Sequence, residues 1–255
     1  MDLKPRLGLI GGGRLAEGIA KTWTARTGHA PLVWSRRGPN GGRVAAGTWV
    51  NQWTGTLEAG SAVIAIPGKA LLDLAHSNQQ AREFTGNIFS AAASLSQASL
   101  RHVFPRATIV CIAPFLIDGV NSIPMVALRP SNLRDPDWAS VKAELDRFGA
   151  CDAIEDEESF AQLSLLGASW PAVVRVAVEA AADAGSEGLR DPAATRLARR
   201  IFFRAMQSLL EEEETNEIAT PGGITERGLK SLGNVTALFE SVFLQMQMRA
   251  EELKA

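Results

Sequence analysis

The stretch from Leu7 to Ile19 constrains the fold of this chain more than any other. A short apolar run is followed by three glycines and then by the start of an amphipathic helix. Gly11, Gly13 and Ala16 fit the dinucleotide-binding pattern Gly-x-Gly-x-x-Gly/Ala between a strand and a helix. The first glycine permits a sharp turn, the second lets a pyrophosphate approach the backbone, and the small third residue lets helix and strand pack closely. We therefore predict a nucleotide site here rather than an ordinary glycine-rich turn.

The residues after the next predicted strand indicate which nucleotide binds. Pro31 to Ser35 is predicted as that strand, and an NAD-selective site would place Asp or Glu near its end. The chain has Arg36 and Arg37 there instead. Guanidinium groups bind phosphate through two parallel hydrogen bonds, so together with the Ser35 hydroxyl they suit a 2′-phosphate. We predict NADP (as NADPH) in preference to NAD, the alternative being a pair of solvated surface arginines.

A third segment completes the predicted cofactor site. Ala62 to Ile66 is a continuous apolar run, as is typical of a buried strand in a parallel sheet, and Pro67 ends it. Ligands bind at the carboxyl ends of strands in open α/β sheets, so this end lies near the cofactor. The predicted cofactor-binding residues are Gly11, Gly12, Gly13, Arg14, Leu15, Ser35, Arg36, Arg37, Ala65, Ile66 and Pro67.

The remaining pattern predicts an α/β domain followed by helices. Further strands are predicted at Asn87 to Ser90, Thr108 to Ile112 and Met125 to Leu128, with a helix from Trp138 to Phe148. This alternation favours a Rossmann-type, doubly wound and largely parallel sheet over residues 1–155. Residues 156–255 are predicted to form an all-α dimerisation and substrate-binding domain, with helices over 171–184, from 191 to about 210, and from about 226 to 252.

Composition excludes several classes of function. The net charge of −2 over 255 residues gives no electrostatic case for nucleic acid binding, and no apolar run is long enough to cross a membrane. Two cysteines do not make a disulfide framework, and residues 1–6 lead directly into the first strand, so we predict a cytoplasmic protein. No metal-ligand spacing and no Ser-His-Asp or Cys-His arrangement is present, so no metal site is predicted.

Several motifs together resemble the pyrroline-5-carboxylate reductase family over nearly the whole chain. They are Gly8 to Gly13, Ser90 to Ala93, Gly167 to Ala172, Glu179 to Gly185 and Thr220 to Thr225. The last of these is similar to the Pro-Gly-Gly loop of the family. The resemblance implies an N-terminal NAD(P)-binding domain and a helical C-terminal domain that dimerises by interleaving. It therefore implies a homodimer or a higher homo-oligomer, formed through the C-terminal helices.

The resemblance also implies a reaction and a substrate site. The family reduces 1-pyrroline-5-carboxylate to proline by hydride transfer to C=N, and its Pro-Gly-Gly loop binds the carboxylate of the cyclic imine. Carried over, the substrate-binding residues are Thr220, Gly222, Gly223 and Ile224. Thr225 falls nearest the imine nitrogen and is the predicted catalytic residue, although it is also a plausible N-cap of the last helix.

Three departures from the family pattern leave alternatives open. Cys111 replaces a common arginine, Phe115 follows a strand where the family has Asn-Thr-Pro, and Ile66 stands before Pro67 in place of lysine. All three lie where nicotinamide and substrate should meet, and Phe115 would make the pocket more apolar. The alternatives are an NADPH-dependent reductase of a different small imine or ketone, and a non-catalytic NADP-binding sensor or interaction protein.

Overall fold

The structure, a computed structural model, describes residues 6–76, 78–115, 123–186, 190–198, 200–201 and 235–252. The chain divides into two compact units, which meet in sequence at Ala168 and Ser169. In these described ranges, no helix has both the length and the apolar character needed to cross a membrane.

The first unit is built on one eight-stranded sheet. Its strands are β1 (Gly8–Ile10), β2 (Leu32–Trp34), β3 (Thr48–Trp49), β4 (Ser61–Ile64), β5 (Asn87–Ser90), β6 (Thr108–Pro114), β7 (Met125–Leu128) and β8 (Cys151–Ile154). Their order across the sheet is β3-β2-β1-β4-β5-β6-β7-β8, and only the β6–β7 pair is antiparallel. The largely parallel, doubly wound sheet predicted from the sequence is therefore confirmed, with one antiparallel neighbour in it.

Helices connect most of these strands. They are α1 (Arg14–Thr27), α2 (Gly38–Gly41), a 3₁₀ helix (Trp53–Ala59), α3 (Gly68–Ala75), α4 (Gln79–Glu83), α5 (Gln97–Val103) and α6 (Asp135–Leu145). Successive strand residues point to opposite faces of the sheet, and both faces are buried. Thus Val63 and Phe89 belong to the apolar cluster on one face, while Ile64 and Ile88 belong to the cluster on the other.

An aromatic cluster lies at the centre of the first of these faces. The ring of Phe148 lies 5.7 Å from that of Trp23 on α1 and 5.4 Å from that of Phe89 on β5, measured between centroids. All three side chains are fully buried. They tie α1 to the centre of the sheet and to the segment after α6. This packing positions the start of α1 relative to the carboxyl end of β1.

Helix α6 and strand β8 differ most from the prediction. Helix α6 begins at Asp135, before the predicted start at Trp138, because Pro136 fits the first helical turn. It ends at Leu145, and Phe148 is buried beyond the helix rather than within it. Strand β8 was not predicted at all. Its two central residues, Asp152 and Ala153, are exposed, so it lacks the apolar run that marked the other strands.

Helix α7 (Glu157–Ser186) is much longer than the predicted helix, which began at Pro171. The Asp156 carboxylate accepts the backbone N–H of Ser159 at 2.7 Å and so caps the helix start. Pro171, where the predicted helix began, lies inside the observed helix. The two compact units divide within α7. The predicted domain boundary at residue 155 lies between β8 and α7 and stays a prediction.

The second unit is helical in its described parts. On α7, Arg175 and Glu179 form an ion pair, with a 2.9 Å contact. The Asp191 carboxylate accepts the N–H of Ala193 at 2.9 Å and caps the helix α8 (192–198). The last helix, α9, is Val235–Glu252. The predicted helical segments 202–210 and 226–234 lie outside the described residues. The predicted architecture of an α/β sheet followed by helices is confirmed.

Candidate cofactor-binding site

Gly11 lies at the point where the chain reverses its direction of winding across the sheet. Strands β2 and β3 lie on one side of β1, and β4 and β5 lie on the other. Such a switch point opens a crevice at the carboxyl ends of the strands. The N–H of Gly11 donates to the carbonyl of Trp34 at 2.8 Å, and its φ is +139°. A Cβ at Gly11 would overlap the carbonyl oxygen of Ala65, so this turn requires glycine.

Gly12 and Gly13 differ in what surrounds them. A Cβ at Gly12 would lie 2.9 Å from the Cβ of Ser35, so Gly12 packs against the end of β2. A Cβ at Gly13 would meet no atom within 4 Å. Gly13 is the N-cap of α1, and no side chain caps this helix. The helix N-terminus has a partial positive charge and N–H groups without intrahelical partners, so the space beside Gly13 suits a phosphate.

Ser35, Arg36 and Arg37 follow β2 at the same edge of the sheet. The hydroxyl oxygen of Ser35 accepts the backbone N–H of Arg37 at 3.2 Å, and this bond shapes the turn into α2. Ser35 is half-buried, whereas Arg36 and Arg37 are exposed. Neither arginine forms an ion pair with any residue that the structure describes. Two exposed arginines without an ion pair to any described residue therefore follow Ser35, the residue that packs against Gly12.

Ala65, Ile66 and Pro67 form the third side of the candidate site. The N–H of Ala65 donates to the carbonyl of Ile10 at 2.8 Å, which continues the β1–β4 pairing to the edge of the sheet. Pro67 is the N-cap of α3, and its carbonyl accepts the N–H of Leu71 at 3.2 Å. The structure thus brings every predicted cofactor-binding residue to the carboxyl ends of three adjacent strands, β1, β2 and β4.

The sequence interpretation missed Arg43, which also lies beside the glycine turn. Its backbone N–H donates to the carbonyl of Gly12 at 2.8 Å. The sequence feature that could have indicated Arg43 is the preceding pair Gly41-Gly42, which lets the chain fold back closely. Nothing in the sequence indicates that Arg43 reaches Gly12.

The departures from the family pattern at Cys111 and Phe115 have clear structural settings. Phe115 follows β6, and its N–H donates to the carbonyl of Pro124 at 2.8 Å. The Phe115 ring lies against Gly167 of α7, where a Cβ would overlap it. Cys111 is buried, and burial, followed by the negative charge of Glu157, raises its pKa to about 12. Its thiol therefore stays neutral near pH 7 and is not a nucleophile.

Both cysteines should accordingly resist modification in the folded protein. Burial also raises the pKa of Cys151 to about 11, and both thiols are free. We expect an aromatic disulfide reagent at pH 8 to modify neither thiol in native buffer and both in denaturant, since only the exposed thiolate reacts. The measurement is the absorbance of the released thiolate with time. Rapid modification of either cysteine in native buffer would contradict the burial that we describe.

The predicted substrate-binding and catalytic residues belong to another part of the chain. Thr220, Gly222, Gly223, Ile224 and Thr225 all lie outside the described residues. In the part of the chain that is described, no group of three His, Cys, Asp or Glu side chains is arranged to hold a metal ion.

Comparison with known proteins agrees with this architecture. Residues 157–253 match the family described as pyrroline-5-carboxylate reductase dimerisation. No curated protein sequence matches the chain. Pyrroline carboxylate reductase from Plasmodium falciparum, solved with NADP bound, has a TM-score of 0.78 and 16% identity, over 98% of this chain and 97% of that one.

Two further solved structures are similar. Pyrroline-5-carboxylate reductase from Coxiella burnetii has a TM-score of 0.77 and 19% identity, over 99% of both chains. An imine reductase variant from Myxococcus stipitatus, in complex with NAD⁺, has a TM-score of 0.56 and 17% identity, over 98% of this chain and 93% of that one. The resemblance to this family is thus confirmed: residues 157–253 match its dimerisation domain, and the fold of the chain is similar to that of solved pyrroline-5-carboxylate reductases over nearly its whole length.

Proposed function

We propose that this protein is an NADPH-dependent oxidoreductase that reduces the C=N bond of a cyclic imine carboxylate, with 1-pyrroline-5-carboxylate as substrate and proline as product. One observation carries this proposal. A glycine turn suited to a dinucleotide lies at the switch point of a parallel sheet, and a pyrroline-5-carboxylate reductase dimerisation domain follows that sheet. Because Rossmann sheets occur in enzymes of many reactions, the match to the dimerisation domain is what favours imine reduction among them.

The residues at the sheet edge fit a nicotinamide dinucleotide. The uncapped N-terminus of α1 and the open space beside Gly13 suit the pyrophosphate. Ser35, Arg36 and Arg37 suit an adenosine 2′-phosphate, and no carboxylate stands there to bind a free 2′-hydroxyl. The similar reductase from Plasmodium falciparum was solved with NADP bound. We therefore propose NADPH as the cofactor in preference to NADH.

The substrate half of the proposal depends on residues 220–225. Backbone N–H groups of Gly222 and Gly223 would bind the carboxylate, because glycine leaves them unshielded, and Thr220 and Ile224 would complete the loop. Thr225 would hold the imine nitrogen and relay a proton to it. When bound, NADPH supplies the hydride that the imine carbon accepts. A protonated imine carbon is electrophilic enough to need no strong acid from the protein.

Replacing Thr225 with alanine tests its proposed role. We expect kcat to fall about tenfold, the value of one lost hydrogen bond of about 1.4 kcal/mol at the reacting nitrogen. The Kd for NADPH should change little, since the adenosine and pyrophosphate contacts remain. Steady-state kinetics and a binding titration measure the two quantities. Thr85→Ala, at an exposed position in the first unit, is the control. An unchanged kcat would remove Thr225 from the mechanism.

The dimerisation domain and the surface of the second unit support a homodimer or a higher homo-oligomer. Among the described residues of the second unit, five large apolar side chains are exposed. They are Val176 (66%), Leu197 (49%), Ile201 (59%), Leu244 (54%) and Met248 (52%). A large apolar surface that is left exposed on a single chain marks a site of interaction with another protein. We propose that these helices pair with those of a second copy in the cytoplasm, where two free cysteines remain reduced.

The loss of NADPH absorbance with 1-pyrroline-5-carboxylate, repeated with NADH, tests the function directly. Rapid oxidation of NADPH, with slower oxidation of NADH, would support both substrate and cofactor. If NADPH binds without being oxidised, a panel of small imines and ketones is the next step. Phe115 favours that second candidate, because an aromatic ring at the end of β6 would admit a more apolar substrate group. Binding without turnover on the whole panel would favour the non-catalytic NADP sensor.

A further inference from the structure

The connection between β2 and β3 is unusually compact. It contains a single four-residue helix, α2, instead of the longer helix that usually crosses between parallel strands. We call its first part, residues 35–43, the crossover turn. Because the turn is short, it stays at the carboxyl edge of the sheet beside the glycine turn rather than passing across a face of the sheet.

Close packing holds the crossover turn in one conformation. A Cβ at Gly41 would lie 2.7 Å from the Cβ of Arg37, so the aliphatic part of Arg37 lies along Gly41. A Cβ at Gly42 would overlap the indole ring of Trp49 on β3. The N–H of Gly42 donates to the carbonyl of Gly38 at 3.1 Å, which closes the turn. These contacts need glycine at both positions and carry the chain directly to Arg43.

Arg43 is anchored to the glycine turn by its backbone and has an exposed side chain. Its N–H bonds the carbonyl of Gly12, which in turn packs against Ser35. Its charge also reaches the first turns of α1. The hydrogen bond from Lys21 is the main reason that the pKa of Glu17 is lowered, and the positive charges of Arg43 and Arg14 add to that effect. Arg37 and Arg43 therefore belong to the same turn, whose first residue, Ser35, packs against Gly12, and Arg43 is hydrogen-bonded to Gly12.

We propose that Arg43, with Arg37, binds the 2′-phosphate of NADP, and that the crossover turn exists in this compact form to place both arginines there. This inference rests on the proposed function. The adenosine ribose lies at the end of β2 in a Rossmann sheet, which is where Gly12 meets Ser35, whereas the pyrophosphate lies at Gly13. Arg43 is attached at the first of these two points, and this favours the 2′-phosphate over the pyrophosphate.

The test compares Arg43→Gln with the wild-type protein in titrations of NADPH and NADH, followed by the fluorescence of the bound nicotinamide. Because Arg43→Gln removes a charge-assisted hydrogen bond to phosphate, we expect its Kd for NADPH to be about tenfold higher than that of the wild-type protein. Its Kd for NADH should be nearly unchanged. Arg43→Lys should recover part of the loss. Arg106→Gln is the matched control, because this substitution removes the same charge at an exposed position. Arg106 lies just before β6, at the opposite edge of the sheet.

Each other result overturns the proposal in a distinct way. Equal weakening of NADPH and NADH would assign Arg43 to the pyrophosphate, and unchanged affinity for NADPH would remove Arg43 from the site while the proposed function stands. A wild-type protein that binds neither dinucleotide would overturn the proposed function and this inference together. Thermal unfolding midpoints confirm that the variants are folded, as expected for a residue that is anchored by its backbone.

Discussion

Replacing Gly13 with alanine is expected to weaken NADPH binding at least about 100-fold while the protein stays folded. A Cβ at this position meets no protein atom within 4 Å, and the backbone (φ −84°, ψ −170°) accepts any residue. The methyl group would instead occupy the space through which the pyrophosphate approaches the start of α1. Alanine is a poorer N-cap than glycine, so a loss of stability of up to about 1 kcal/mol is expected.

Gly11→Ala is the matched comparison, because here the methyl group meets the protein itself. At φ +139° an alanine is strained by about 1–3 kcal/mol, and its Cβ would also overlap the carbonyl oxygen of Ala65. We expect Gly11→Ala to unfold at clearly lower urea concentration than Gly13→Ala. The measurements are urea denaturation and NADPH titration of both variants. A Gly13→Ala protein that binds NADPH normally would contradict the proposed position of the pyrophosphate.

Replacing Phe148 with alanine is expected to lower the free energy of unfolding by about 3–5 kcal/mol. The Phe148 ring is fully buried between Trp23 and Phe89, with centroid distances of 5.7 and 5.4 Å. Its removal would leave a cavity lined by rigid aromatic groups that cannot close around it.

Urea denaturation followed by circular dichroism measures this loss. The slope of the free energy with urea should stay the same, so that the midpoint alone shifts. Phe84→Ala is the control, because Phe84 is half-buried and its closest aromatic contact is a single ring, Phe104, at 6.5 Å. We expect the control to lose clearly less stability. An equal loss in both variants would mean that the cluster around Phe148 is not a centre of stability.

Local patterns explain why much of the sheet could be predicted. Strands β1 and β4 are formed by short apolar runs with clear ends, and each forms where its own residues indicate. The boundaries that failed are those where a local signal misled. The predicted helix began at Pro171, whereas α7 begins at Glu157, after the cap formed by Asp156. The exposed centre of β8 hid a strand that pairs with β7.

Some residues of the candidate site could also be predicted from local sequence, and others could not. Its glycine turn and the arginines after β2 could be predicted because spacing along the chain alone defines them. Arg43 could not, because its role depends on a hydrogen bond to Gly12, and a sequence does not show which distant residues a turn will reach. The setting of Phe115 against Gly167 depends likewise on the path of α7.

The sequence by itself determined that this chain folds as a Rossmann-type sheet followed by helices, since apolar periodicity and a glycine turn act over short distances. Only the tertiary structure decided what surrounds each glycine: Gly11 against Ala65, Gly12 against Ser35, and open space beside Gly13. These contacts join residues far apart in the chain, and their geometry follows from the packing of whole elements rather than from any local preference.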